Sequence, residues 1–208
     1  MLAQWTTKRE DALPGHGEDR VEVIPLKGRT VVVVADGAGG VAGGAAAAEI
    51  ICKAVVDQCY RDIVVDWTRC LANIDRQLSV GLAAAVVVEL RDDGSVVGAS
   101  VGDCEAWTFV GGIAHNLTAD QVRKPLLGEG KALPVGFEIH VKECSLLVAT
   151  DGLWKYLDRA RIAKAAALRP LEEASRVLVE GVRMKSGALQ DDVAIALIES
   201  KWQGSSTS

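Results

Sequence analysis

The sequence lacks the features that mark nucleic-acid-binding, membrane-spanning and disulfide-stapled proteins. Its 208 residues carry a net charge of −5 without a basic block, so no nucleic-acid partner is expected. No apolar run approaches the roughly 20 residues that a membrane-spanning helix needs, and the first residues show no apolar leader segment. The five cysteines are odd in number and form no CxxC pair, which favours reduced thiols over disulfides or a zinc site. We therefore expect a cytoplasmic protein without a membrane partner.

The order of the apolar segments predicts an α+β fold. Turn signals such as Asp93-Gly94 indicate hairpins and therefore antiparallel sheets, and the helices fall into two separated pairs. These features predict a four-layer αββα sandwich of two antiparallel sheets flanked by helix pairs. We expect one domain over residues 1–200, with a disordered tail at 201–208. The predicted strands are 21–25, 30–36, 81–90, 96–110 (two strands flanking Gly102-Asp103), 145–152 and 191–199; the predicted helices are 41–60, 66–78, 157–168 and 171–186; residues 118–143 are predicted to be a long loop.

Acidic residues stand at the ends of several predicted strands. Rigid strands can hold such carboxylates at one rim of the fold with the precision that a metal site requires. The alternative is that each Asp-Gly pair is only a turn or a helix cap, as we conclude for Asp93-Gly94. Asp36-Gly37 and Asp151-Gly152 differ from that pair because they lead toward helical segments rather than a returning strand. The candidate acids are Glu18, Asp19, Asp36, Asp103, Asp151 and Asp191.

The residue types in this set favour hard cations. No histidine or cysteine clusters with the acids, since His16, His115 and His140 are dispersed. Carboxylates and backbone carbonyls suit Mg²⁺ or Mn²⁺ better than Zn²⁺, and Gly37 leaves room for its own carbonyl to reach an ion. Two such ions, about 3.5–4 Å apart, can bridge a hydroxide and clamp a phosphoryl group.

An ordered set of short motifs resembles the metal-dependent serine/threonine protein phosphatases of type 2C, in their bacterial single-domain form. The resemblance covers about residues 15–199, and its sharpest elements are "DGAGG" and "ATDGLW". The motifs are "GED" (17–19), "VVVVADGAGG" (31–40), "SVGDCEAW" (100–107), "LTADQ" (117–121), "LLVATDGLW" (146–154) and "DDVAIALI" (191–198).

The resemblance implies an αββα sandwich with a binuclear Mg²⁺ or Mn²⁺ centre at one end of the sheets. By position, Asp36 resembles the acid that bridges both metals, and Gly37 the backbone carbonyl ligand. Asp151 and Asp191 resemble the acids that complete the shell of the first metal. Asp103 stands where bacterial members have an acid for a third, weaker metal.

The resemblance also implies an activity, the hydrolysis of phosphoserine and phosphothreonine in a phosphorylated protein substrate. Glu18 and Asp19 resemble the acidic pair that holds metal-bound waters. A metal-bridging hydroxide would attack phosphorus in line, and the leaving alkoxide would take a proton from a metal-bound water or a nearby acid. No cysteine nucleophile is needed, and Cys104 is interpreted as a packing residue.

The sequence departs from the family pattern at the residue that binds the substrate phosphate. Family members usually carry an arginine a few residues before the acidic pair, where it binds the substrate phosphate, but this chain reads "LPGHGED" there. His16, Arg20 or the pair Lys8-Arg9 could substitute, although none matches the family position.

Other departures lie around the metal positions. Asp192 stands where the family usually has Asn. The segment between "LTADQ" and "LLVATDG" is short and leaves little room for the mobile flap subdomain. It also leaves little room for the additional acid that helps hold a third metal, for which Glu129 or Glu138 could serve.

Two alternatives to an active phosphatase stay open. The first is a catalytically weak or inactive relative that acts as a metal-binding signalling or interaction module. The second is an α+β domain in which the Asp-Gly pairs are only turns. The sequence does not define the physiological substrate or the oligomeric state.

Overall fold

The computed structural model describes residues 2–38, 42–61, 64–111, 113–141 and 143–201. Its strands are β1 (Leu2–Glu10), β2 (Arg20–Leu26), β3 (Arg29–Gly37), β4 (Ala83–Arg91), β5 (Ser95–Val101), β6 (Glu105–Val110), β7 (Ile113–Asn116), β8 (Val135–His140), β9 (Glu143–Ala149) and β10 (Val193–Lys201). Its helices are α1 (Gly44–Arg61), α2 (Trp67–Gln77), α3 (Asp151–Trp154), α4 (Arg159–Ala166) and α5 (Leu171–Gly181).

The strands form two five-stranded sheets, ordered β1-β10-β9-β6-β7 and β2-β3-β4-β5-β8. All the strand pairs are antiparallel. Helices α1 and α2 cover the outer face of the second sheet, and α3, α4 and α5 cover the outer face of the first. The predicted four-layer αββα sandwich is therefore confirmed.

Strand β3 shows how the sequence fills two core layers at once. Successive side chains of a strand point to opposite faces of its sheet. Val32 and Val34 accordingly pack between the two sheets, whereas Val31 and Val33 pack beneath α1 and α2. An uninterrupted valine run is what a strand covered on both faces requires, and it fixes the end of β3 that carries Asp36.

Three strands, β1, β7 and β8, were missing from the sequence prediction, and all three lie at sheet edges. β1 pairs with β10 from Leu2↔Lys201 to Glu10↔Val193, although its sequence is mostly polar. β8 lies inside the predicted loop 118–143 and pairs with β5; its residues alternate between partly buried and exposed. Edge strands of this kind carry a weak apolar signal because one face stays in solvent.

Several predicted boundaries also need correction. The strand predicted at 145–152 ends at Ala149, because Asp151 and Gly152 begin α3. The last helix ends at Gly181 rather than 186, and β10 begins after Asp191 and Asp192. The predicted helix start at Val41 lies outside the described residues, as does the predicted tail apart from Lys201, which ends β10. None of the described helices combines the length and apolarity needed to span a membrane.

Asp75 of α2 fixes the loop that follows the "LTADQ" motif. Its side chain is buried and accepts backbone hydrogen bonds from Gly128 (2.8 Å), Gly130 (3.0 Å) and Ala132 (2.9 Å). A carboxylate that accepts several backbone N–H groups orders a loop strongly, because charged acceptors make the stronger hydrogen bonds. This loop borders the end of the sandwich where the acids lie.

We predict that Asp75→Ala lowers the free energy of unfolding by about 3 kcal/mol, since it leaves three partly buried hydrogen bonds of the loop without their acceptor. Chemical denaturation would measure the loss. The matched control is Asp93→Ala, which removes one exposed hydrogen bond to the Ser95 amide and should cost far less. Equal losses in the two variants would contradict this role of Asp75.

Candidate metal centre

One cleft at the end of the sandwich brings the predicted acids together. Its volume is about 370 Å³. The lining contains all six candidate acids and Gly37, together with residues that the sequence analysis did not single out. The lining residues are Glu18, Asp19, Asp36, Gly37, Ala38, Ala84, Asp103, Arg123, Lys124, Leu126, Asp151, Lys155, Asp191 and Asp192.

The acids reach the cleft from the ends of different elements. Asp36 lies at the end of β3, opposite Ala84 of β4, and Asp151 is the first residue of α3. Asp103 follows Gly102 in the turn between β5 and β6. Gly102 has a φ of +88° and lies so close to Ala84 that a Cβ atom would overlap it, so this turn needs glycine.

Three carboxylates converge in the cleft. Asp36, Asp103 and Asp151 each offer an oxygen, and these oxygens all lie within 4.8 Å of one another. Carboxylates at this separation repel each other strongly when they are ionised. The geometry suits a shared cation, whose positive charge would offset that repulsion.

Asp19 lies beside this triad and is the most deeply buried acid of the cleft. It is 2% exposed, and among the described residues its Oδ2 has no hydrogen-bond partner. Burial raises the pKa of Asp19 to about 8; a hydrogen bond with Thr150 opposes the shift, and the charges of Asp192, Asp151 and Asp191 add to it. A buried acceptor without a donor is costly, and a cation would satisfy it.

Asp36 and Asp151 are perturbed in the same direction. Burial raises the pKa of Asp36 to about 9, with further contributions from the charges of Asp19, Asp151, Asp103 and Asp191. Burial likewise raises the pKa of Asp151, although the hydrogen bond from Lys155 opposes the shift. The cleft therefore concentrates acidic groups in surroundings that disfavour their charged forms.

Lys155 is a cleft residue that the sequence analysis missed. Its ammonium forms an ion pair with Asp151 and lies 3.4 Å from Oδ2 of Asp191. Burial alone would lower the pKa of Lys155, but the hydrogen bond and charge of Asp151, with the charge of Asp191, raise it above its ordinary value. The spacing of Asp151 and Lys155 was a usable signal, because residues four apart on a helix face each other.

Glu18 and Asp192 complete the acidic side of the cleft in different ways. The carboxylate of Asp192 accepts hydrogen bonds from the backbone amides of Ala12 and Glu18, both at 2.7 Å. It thus ties the segment before β2 to the segment before β10. Glu18 lies against Gly44, the first residue of α1. A Cβ atom at position 44 would clash with Oε1 of Glu18. A helix N-terminus favours a negative charge at that place.

The cations proposed to replace the missing arginine lie elsewhere. Lys8 pairs with Glu10 at 3.3 Å and Arg9 with Asp11 at 3.6 Å. Arg20 donates to the carbonyl oxygens of Gly17 (3.0 Å) and Asp19 (2.8 Å). These three side chains and His16, all among the described residues, are not part of the cleft lining.

The remaining residues singled out from the sequence lie away from the cleft. Glu129 accepts a hydrogen bond from the Leu126 amide at 2.9 Å, and Glu138 belongs to β8; both are described, and neither lines the cleft. Cys104 is fully buried in the layer between the sheets, and burial raises its pKa well above the ordinary value. A buried, protonated thiol agrees with a packing role.

Comparisons with known proteins identify the fold. No protein-family model and no curated protein sequence matches the chain, but many solved structures do. The catalytic domain of the serine/threonine protein phosphatase PstP, in complex with two manganese ions, has a TM-score of 0.77 and 15% identity over 95% of this chain and 97% of that one. A bacterial serine phosphatase has a TM-score of 0.83 and 17% identity over 98% and 99%.

A third similar structure is the serine/threonine phosphatase Stp1 from Staphylococcus aureus, with a TM-score of 0.79 and 16% identity over 96% of this chain and 94% of that one. The similarity extends over nearly the whole length of each partner. The chain therefore has the fold of bacterial serine/threonine phosphatases.

Proposed function

We propose that the protein is a type 2C protein serine/threonine phosphatase that depends on Mn²⁺ or Mg²⁺ and acts on phosphorylated protein substrates. The observation that carries the proposal is the convergence of Asp36, Asp103 and Asp151, whose carboxylate oxygens lie within 4.8 Å of one another. They occupy the end of the sandwich at which the sequence motifs predict the metal centre.

The residues of the cleft fit a divalent cation. Asp19 places a buried oxygen without a donor at this site, and the surrounding ligands are carboxylates, which hard cations prefer. Asp36, Asp151, Asp191 and the Gly37 carbonyl would hold two ions, and Asp103 a weaker third. When bound, the ions would acidify a water molecule and draw charge from the phosphoryl group.

The chain itself would supply proton transfer and exclusion of water. Expulsion of a serine or threonine side chain requires a proton on its leaving oxygen. Glu18 and Asp19, adjacent in the chain and both in the cleft lining, would orient the water that supplies such a proton. The buried walls around Asp19 and Asp36 strengthen electrostatic interactions, because charges are screened less there than in water.

A second candidate function is that of a weak or inactive relative that binds metal and serves in signalling. Lys155 favours it, since its ammonium contacts both Asp151 and Asp191. A fixed cation at these acids competes with a divalent ion and could leave one metal position poorly occupied. The lack of an arginine in the few residues directly before Glu18 points the same way.

We predict that the purified protein hydrolyses p-nitrophenyl phosphate in Mn²⁺ and not in EDTA. Asp36→Asn should lower kcat by about a thousandfold, because it removes a shared charge from the ion site. Asp93→Asn, the same substitution in a hairpin turn, is the matched control and should leave kcat unchanged. Hydrolysis that persists in EDTA would contradict the proposal, and a folded, metal-binding protein without activity would support the signalling alternative.

We predict that the same Asp36→Asn substitution stabilises the metal-free protein. The pKa values of Asp36 (about 9) and Asp19 (about 8) lie above the ordinary value of 3.8. Such groups contribute stability that is complete below about pH 4 and is lost as the pH rises toward their folded-state values. In EDTA, the native melting temperature should therefore fall between pH 5 and pH 9, and less steeply in Asp36→Asn.

Saturating Mn²⁺ should restore the melting temperature of the native protein at pH 8 and have little effect on Asp36→Asn, because a cation can relieve only the repulsion that is present. Differential scanning fluorimetry measures both effects. A native melting temperature that does not change with pH or Mn²⁺ would argue against mutual repulsion of these acids.

We predict that Lys155→Met raises the affinity for Mn²⁺ by about three- to tenfold, since it removes a competing positive charge that solvent partly screens. Isothermal titration calorimetry measures the affinity directly. Lys131→Met is the matched control, because Lys131 is exposed and pairs with Glu129 outside the cleft. An unchanged or weakened affinity in Lys155→Met would show that the ammonium does not compete with the ion.

A further inference from the structure

The cleft contains cations that no family motif assigns. Its cationic lining residues, within the part of the chain that the structure describes, are Arg123, Lys124 and Lys155. Lys155 is engaged by Asp151 and Asp191, which leaves Arg123 and Lys124 to face an incoming ligand. The side chains expected to replace the missing arginine, Lys8, Arg9 and Arg20, do not line the cleft.

We propose that Arg123, with Lys124 beside it, binds the phosphate group of the substrate. The inference rests on the proposed phosphatase function. It assigns phosphate binding to the segment after "LTADQ", whereas the family pattern places the phosphate-binding arginine before the acidic pair. A guanidinium suits this role because its planar N–H groups can bind two phosphate oxygens at once. Lys124 adds a point charge at the same edge of the cleft.

Arg123 is placed close to the acids that would hold the metal. Its Nη2 lies 3.6 Å from Oδ2 of Asp103, and Asp103 belongs to the triad with Asp36 and Asp151. This separation is longer than a hydrogen bond, so the N–H groups of the guanidinium remain available to a ligand. With 72% of its side chain exposed, Arg123 lies where a phosphate group carried on another protein can reach it.

The backbone on both sides of Arg123 is fixed. Before it, the side-chain amide of Gln121 donates to the carbonyl oxygen of Cys104 at 3.0 Å. After it, Leu127 exchanges two backbone hydrogen bonds with Ala83 of β4, at 3.0 and 3.1 Å, and Asp75 holds the amides beyond. The segment therefore needs no folding step to present Arg123, which lowers the entropic cost of binding.

These contacts specify the chemical class of the ligand. A phosphate monoester carries two negative charges near neutral pH and would meet an acidic cleft whose own cations are few. Arg123 and Lys124 supply positive charge on one side, and the ions held by the acids would supply it on the other. Loss of the guanidinium should therefore weaken the binding of the ester and of inorganic phosphate more than it slows the chemical step.

The test compares Arg123→Ala and Arg123→Lys with the native protein in Mn²⁺. The matched control is Arg176→Ala, which removes an arginine that pairs with Glu173 on α5 outside the cleft lining. Calorimetry gives the dissociation constant of inorganic phosphate, and p-nitrophenyl phosphate gives KM and kcat. We expect Arg123→Ala to raise the dissociation constant and KM by about tenfold with a smaller fall in kcat, Arg123→Lys to recover part of the loss, and the affinity for Mn²⁺ to be no weaker.

Two results would overturn the inference: a phosphate dissociation constant in Arg123→Ala equal to that of Arg176→Ala, or no phosphate binding by the native protein in Mn²⁺. Failure of the phosphatase function is a separate outcome, seen as an absence of Mn²⁺-dependent hydrolysis by the native protein. The phosphate titration needs no turnover, so it decides the role of Arg123 in either case.

Discussion

Mutual repulsion among carboxylates is the constraint on which the site depends. Asp36, Asp103 and Asp151 are held within 4.8 Å of one another by elements that cannot move apart without breaking the sandwich. Burial of Asp19 and Asp36 disfavours their charged forms, the charges of the neighbouring acids add to this effect, and their pKa values rise as a result. The charge can be offset by protons, by the ammonium of Lys155, or by a bound cation. The properties proposed for this cleft follow from the competition among these three.

The sandwich makes the constraint rigid. β3 carries Asp36 and packs on both faces, against the first sheet through Val32 and Val34 and beneath the helices through Val31 and Val33. The opposite wall of the cleft is fixed less by core packing than by hydrogen bonds. Backbone amides of the loop at 128–132 donate to Asp75, and the side-chain amide of Gln121 donates to the carbonyl oxygen of Cys104. Apolar packing thus positions the acids on one side of the cleft, and hydrogen bonds position the segment that carries Arg123 on the other.

The sequence predicted the parts of this arrangement that have a local signal. Apolar runs ending in Asp-Gly located Asp36 and Asp151, and hairpin turns and paired helices predicted the layered fold. β1 and β8 were missed because their partners, β10 and β5, are distant in sequence or lie across a long loop, and their own patterns are half polar. Arg123 could not be placed, because nonlocal hydrogen bonds set its position. The roles predicted for all the site residues stay predictions, although the structure brings every one of them into the cleft.

The most direct measurement is the anomalous diffraction of crystals grown with Mn²⁺, recorded at the manganese absorption edge. If the converging acids form a metal centre, manganese peaks will lie within about 2.0–2.6 Å of carboxylate oxygens of Asp36 and Asp151, as oxygen ligands of hard divalent cations do, and the ammonium of Lys155 will have moved away from the occupied position. A cleft without manganese at saturating concentration, with Lys155 still bridging Asp151 and Asp191, would contradict the proposed centre.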